Sequence, residues 1–214
     1  MTKMRMVDSS LEDRHAGTTS DTLRYVAISA LMLLTIVWPI WNFNDSRWFA
    51  ENGPVEGPQI IYLMLATLIF AFSFRGAKPL TRLEICGITL FCFNLVVREA
   101  DVRGPLEPYL GFLFAGGRIF YIVALLWAPV VALGVYRLKP TMRHLFTWLR
   151  MPAGIAMIAG GALFVGGELA EKGLLLSRAP NMPLEETLEL YASFAIFLSA
   201  CLTFWRRDGA RAEP

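Results

Sequence analysis

Histidine is nearly absent from this chain. Only His15 and His144 occur in 214 residues, and His144 lies in a basic stretch. Paired axial histidines for an intramembrane haem are therefore missing, and so is the H-E-x-x-H pattern of zinc hydrolases. No G-x-S-x-G nucleophile motif occurs, and no glycine-rich phosphate loop follows a strand. These absences predict neither haem nor nucleotide as a cofactor, and no basic face suited to nucleic acid is visible. Cysteine is also scarce. Cys86, Cys92 and Cys201 lie inside apolar runs without C-x-x-C spacing, so they read as small buried hydrophobes and not as disulfides or metal ligands. The N-terminal residues lack a short basic region leading to a small-residue cleavage site, which argues against a signal peptide.

Charge is the next deficit. Charged residues make up 18% of the chain, hydrophobic residues 55%, and the mean hydropathy is +0.48, where soluble domains run near 25% charged. Several uncharged runs approach the roughly 20 residues that cross a ~30 Å hydrocarbon core as a helix. The expected fold is all-α, an integral-membrane helical bundle of about six transmembrane helices. Residues 1–23 read as a disordered cytoplasmic tail. The spans are expected at 24–41, 54–74, 80–100, 118–136, 152–175 and 183–205, with 206–214 as a second cytoplasmic tail.

Breakers and bases mark the connections. Arg75-Gly-Ala-Lys-Pro79 closes the second helix, and Pro129 is a kink within the fourth. Residues 104–117 carry too many glycines and prolines to span, and read as a segment lying on or dipping into the membrane surface. Arg137–Arg150 alternates bases with Leu145, Phe146, Trp148 and Leu149, as an interfacial amphipathic turn does. The N-terminal tail, the 2–3 loop, the 4–5 loop and the C-terminal tail hold most of the 20 Lys and Arg residues, which places both termini in the cytoplasm. Arg47, Arg98, Arg103, Arg118, Lys172 and Arg178 fall on the opposite side.

The acids gather on that opposite side. At ~1.5 Å per residue, Glu56, Arg98, Glu168 and Glu189 each lie about 24–28 Å from the cytoplasmic end of their own helix, at one common level. Each belongs to a one-face stripe: Glu56 with Gln59; Asn94, Arg98 and Asp101; Glu168, Glu171 and Lys172; Glu186, Glu189 and Ser193. Polar faces at this depth turn inward, since facing lipid costs several kcal/mol per charge. Part of the pattern has plain structural explanations. Glu185 suits the first turn of a helix, Arg98 suits a helix C-terminus, and Glu168 with Lys172 is a favourable i, i+4 pair. The excess of carboxylates over bases has no such explanation, because acids crowded together cannot all stay ionised without taking up protons or a cation.

Oxygen ligands without nearby histidine or cysteine suit Mg²⁺, Ca²⁺ or Mn²⁺. Glu56, Glu99, Asp101, Glu168, Glu171, Glu186 and Glu189 are the expected metal or cation set. Glu189, Glu168 and Asp101 are the candidates for catalysis, and Arg98 and Arg118 for binding a phosphate or other anion. Three motifs, Glu51-Asn-Gly-Pro-Val-Glu56, Arg98-Glu-Ala-Asp101 and Glu185-Glu-Thr-Leu-Glu189, resemble those of a group of uncharacterised bacterial polytopic inner-membrane proteins. The resemblance implies an inner (plasma) membrane, multi-pass protein with a carboxylate/Arg cluster, and it implies no reaction.

The functional expectation is an outward-facing, cation-dependent binding or catalytic site acting at the outer membrane surface on a lipid or headgroup. A cation- or proton-coupled transporter is the first alternative, and a structural subunit of a membrane complex the second. Transport is disfavoured because little polarity lies below the acids apart from Asn94, Thr89, Ser193, Ser199 and Thr203. Besides the bilayer, a homo- or hetero-oligomeric partner is expected along Ala162, Gly166 and Ala170, whose four-residue spacing lets membrane helices approach closely.

Overall fold

The computed structural model describes residues 26–41, 46–49, 53–75, 80–99, 118–175 and 181–209. The regular elements among these residues are all helices, joined by turns, with no strand among them. The first helix, α1 (Val26–Trp41), belongs to a separate compact unit and is apolar along its length. The second unit holds α2 (Glu56–Phe72), α3 (Arg82–Glu99), α4 (Arg118–Tyr136), α5 (Leu138–Leu149), α6 (Pro152–Glu171) and α7 (Met182–Gly209), with 3-10 turns at Ser46–Phe49 and Ser73–Arg75. Two helical stretches, Pro152–Glu171 and Met182–Trp205, are long and apolar enough to cross a membrane. A third arises if Tyr121–Tyr136 and Leu138–Leu149 form one span across their 101° bend. The apolar helices α1 and α2 are shorter, and α3 carries Arg82, Glu84, Arg98 and Glu99 within its length.

The sequence-predicted ends of α4 agree with the structure, and others move for identifiable reasons. The fifth span was expected to reach Leu175, but α6 stops at Glu171. Gly173 takes φ 64°, its N–H donates to the Ala170 carbonyl at 3.0 Å, and the Leu174 N–H donates to Leu169 at 2.8 Å. This pair of bonds satisfies the last free carbonyls around a left-handed glycine. The next helix begins one residue before Pro183, because Asn181 caps it. The Asn181 side-chain oxygen accepts from the Leu184 N–H at 3.2 Å. That helix also continues past Arg206 and Arg207 to Gly209. Helix α3 starts at Arg82 behind a one-sided cap, Thr81-Arg-Leu-Glu84, in which Glu84 accepts from the Thr81 N–H at 2.6 Å and from the Thr81 hydroxyl.

The core of the second unit is built on α7. Leu63, Ala66 and Phe70 of α2, Ile85, Cys92 and Leu95 of α3, and Ala153 and Phe164 of α6 close with Ala192, Ile196 and Ala200 of α7 into one buried cluster. Small residues allow the α6–α7 contact. A Cβ at Gly160 would lie 2.8 Å from Ile196 Cγ1 and 3.0 Å from the Ala192 carbonyl oxygen. The close approach enabled by these glycines is therefore made within the chain. Of the expected partner stripe, Ala170 is buried, Gly166 faces Leu188 and Ala162 is exposed. The three cysteines are free.

The amphipathic turn expected at 137–150 is the helix α5. Its Trp148 is buried and donates from Nε1 to the Thr203 hydroxyl of α7 at 3.3 Å, while His144 Nδ1 lies 3.2 Å from Glu84 Oε1 of α3. Apolar side chains such as Leu125, Val135, Ile61 and Val165 are exposed on the outer faces of the helices, as a lipid-facing surface requires. The 1–23 tail and the 104–117 surface segment lie outside the described residues.

The junction of α5 and α6 is the tightest point. A Cβ at Gly154 would meet the Leu149 Cα and the Trp148 carbonyl oxygen at 2.3 Å, both backbone atoms, whereas one at Gly161 meets nothing within 4 Å. Gly154→Ala is therefore expected to cost about 1–3 kcal/mol through forced backbone displacement. Gly161→Ala should be neutral or slightly stabilising. Thermal unfolding of the two variants in one detergent checks the contrast.

Candidate functional site

The C-terminal turn of α3 delivers Arg98 into a gap between α6 and α7. Its Nη2 forms an ion pair with Glu168 Oε1 of α6 at 2.7 Å and donates to Glu189 Oε1 of α7 at 2.9 Å. One guanidinium nitrogen thus joins three helices. The Glu189 side chain retains only 5% of its exposure, against 36% for Arg98. Beneath the guanidinium lies the Phe164 ring, with Cζ 5.8 Å from the centroid, close enough for a cation–π contact. Room for the Glu189 side chain depends on Gly167, where a Cβ would meet Glu189 Cγ at 3.0 Å.

A second connection runs from α2 to α7. Gln59 is fully buried, and its amide nitrogen donates to Glu186 Oε2 at 2.9 Å and to the Glu186 carbonyl at 3.0 Å. Lys172 holds the other oxygen of Glu168 at 3.1 Å. Glu99, adjacent to Arg98, has Oε1 3.5 Å from Arg98 Nε. That distance and geometry give an ion pair without a hydrogen bond.

Further carboxylates lie close to this group. Glu99 lies within Coulomb range of Glu56 and Glu168, Glu186 within range of Glu56, Glu99 and Glu185, and Glu185 within range of Glu171. Arg98 pairs with Glu99, Glu168 and Glu189, and Lys172 pairs with Glu168. Gln59 Oε1 and Glu99 Oε1 are buried acceptors without any hydrogen-bond donor. The hydroxyl of Ser193, one turn beyond Glu189, is likewise buried and unpartnered. Buried acceptors in native structures are normally satisfied, so these two orphans stand out among the described residues.

Of the expected cation set, Glu56, Glu99, Glu168, Glu171, Glu186 and Glu189 fall within this one electrostatic neighbourhood. Glu171 is exposed at the end of α6. Asp101, expected both as a ligand and as a catalytic group, lies outside the described residues, as does Glu51. Arg98 is already held by two carboxylates where an anion-binding role was expected. Arg118 opens α4 at the same level, since the neighbouring Ile119 packs on Val97 of α3. Among the described residues, no group of three or more His, Cys, Asp or Glu side chains is arranged to hold a metal ion. The position with no sequence signal is Gly167, because a glycine within an apolar helix gives no hint of what packs over it.

If Arg98 is the shared partner, its removal strands two carboxylates. Arg98→Gln is expected to destabilise the protein by about 1–3 kcal/mol, discounted from the larger cost of breaking a fully buried pair because Arg98 is one-third exposed. Glu189→Gln should recover part of that loss. A double-mutant cycle on Arg98 and Glu189 should return a coupling energy of about 1 kcal/mol or more, read from thermal unfolding. Comparison with protein-family models, with curated proteins and with solved structures finds no match to this chain, so its function is argued from these residues alone.

Proposed function

We propose that this chain is a six-span inner-membrane protein with both termini in the cytoplasm, and that the Arg98-centred cluster is a cation-binding site at its outer face. The site serves cation-dependent binding or chemistry on a lipid headgroup. The observation that carries this reading is the pair of orphaned buried acceptors, Gln59 Oε1 and Glu99 Oε1, beside the carboxylates of Glu186 and Glu189. Such a pocket favours a species that brings positive charge and donors, or that coordinates oxygen directly.

The carboxylates already at Arg98 decide between ligands of opposite sign. A phosphate entering at Arg98 has to displace Glu168 and Glu189 and then lie against Glu99. A cation meets acceptors that are already desolvated and short of partners. Its binding also relieves repulsion among Glu99, Glu186 and Glu189, whereas an anion adds to it. Arg98 then acts by holding the carboxylates of α6 and α7 in place, and Lys172 by fixing the second oxygen of Glu168.

A transport reading has one observation in its favour. Ser193 and Ser199 have buried, unpartnered hydroxyls on α7, between the cluster and Thr203 near the other end of the helix. Cation uptake into proteoliposomes that disappears in Ser199→Ala would favour it.

The cation site is tested by thermal unfolding of the detergent-purified protein titrated separately with Mg²⁺, Ca²⁺ and Mn²⁺. A ligand that binds the folded state raises Tm with the logarithm of its concentration above Kd. The expected result is a saturable rise with at least one cation in wild type, with half-saturation moved about tenfold or more upward in Glu99→Gln and Glu189→Gln. Identical responses in wild type and both variants would remove the cation site.

A further inference from the structure

At the opposite end of α3 a groove of about 710 Å³ opens between α3 and α4, with Arg82 and Arg137 at its mouth. Its walls are apolar. Leu90 of α3 and Leu126, Pro129 and Leu133 of α4 line it below the two arginines. Arg82 begins α3 and Arg137 follows the last residue of α4, so the two helices run antiparallel and bring both residues to one end of the groove. From Arg137 down to Leu126 the groove extends about 16 Å along the helix axis. Pro129 lies at its middle. Its ring removes a backbone donor from α4 and forces the helix away from straight packing.

Both arginines are exposed, and no carboxylate among the described residues engages either. The acid nearest in the chain, Glu84, is already taken by Thr81 and His144. Beyond Arg137, α5 turns away from α4 by 101° and carries the exposed bases Lys139 and Arg143. Positive charge at the mouth and apolar walls beneath it match one kind of molecule in both parts.

We propose that this groove binds an anionic glycerophospholipid, with its phosphate held between Arg82 and Arg137 and one acyl chain laid along Leu90, Leu133 and Leu126. Arginine forks suit phosphate oxygens, and basic pockets between membrane helices select anionic headgroups. The lipid fills the space that the α3–α4 pair leaves open and ties the α4–α5 corner to the start of α3. This site is separate from the acidic cluster and does not depend on it.

The experiment is thermal unfolding in a neutral detergent with added phosphatidylglycerol, phosphatidylcholine or inorganic phosphate. Phosphatidylglycerol is expected to give a saturable rise in Tm that phosphatidylcholine and inorganic phosphate do not reproduce. Arg82→Gln/Arg137→Gln should weaken the apparent affinity for phosphatidylglycerol about tenfold or more. Leu133→Trp, which fills the groove and keeps both arginines, should lose the response, and Lys139→Gln should keep it. An equal rise with phosphatidylcholine, the same rise with inorganic phosphate, or an unchanged response in the double arginine variant would each overturn the proposal. The wild-type comparison of the three additives decides the matter even if a variant fails to fold.

Discussion

One guanidinium group governs how this bundle ends. Arg98 reaches Glu168 and Glu189 with a single nitrogen, so α3, α6 and α7 meet at a charge that none of them can give up independently. Two carboxylates beside one another repel, and a carboxylate as buried as Glu189 is costly without a partner. The arginine removes both penalties, while Phe164 below it and Gly167 behind Glu189 fix the geometry. What the arginine does not hydrogen-bond, the buried Glu99 Oε1 beside Glu186 and Glu189, is what the proposed cation site rests on.

This arrangement requires the helices to be close. Packing in a membrane gains little from the hydrophobic effect and relies on backbone approach and on satisfied polar groups. Gly160 and Gly167 supply the first on the α6–α7 contact, and the Gln59–Glu186 bonds supply the second between α2 and α7. The two ends of the unit use different chemistry. One concentrates carboxylates around a single arginine. At the other, the buried Glu84 is consumed by a helix cap and by His144, which leaves arginines over an apolar groove.

Much of this was legible in the residues. The i, i+3, i+4 stripe put Glu186, Glu189 and Ser193 on one face, and the rise per residue put Arg98, Glu168 and Glu189 at one level; all are found together. The partner of each charge was not legible, because pairing across helices depends on crossing angle and rotation, which no single-helix pattern encodes. Arg98 therefore read as an anion site, where the structure gives it two carboxylates. Helix boundaries failed where capping decides them. Gly173 ended α6 early, Asn181 began α7 early, and Thr81-Arg-Leu-Glu84 is a capping signal that hydropathy alone passes over. By length and composition two helices, or three with the bent pair, can cross a membrane, since α1 and α2 are shorter and α3 carries Arg82, Glu84, Arg98 and Glu99.

The central claim is that the Glu99, Glu186 and Glu189 carboxylates engage a cation directly. Infrared difference spectroscopy of the purified protein, recorded as the cation that raises Tm is added, observes those groups themselves. The account predicts a carboxylate-stretch difference band in wild type that is reduced in Glu99→Gln and in Glu189→Gln and retained in Glu84→Gln, at the far end of α3. A flat difference spectrum in wild type, or a band unchanged by the two cluster variants, would contradict it.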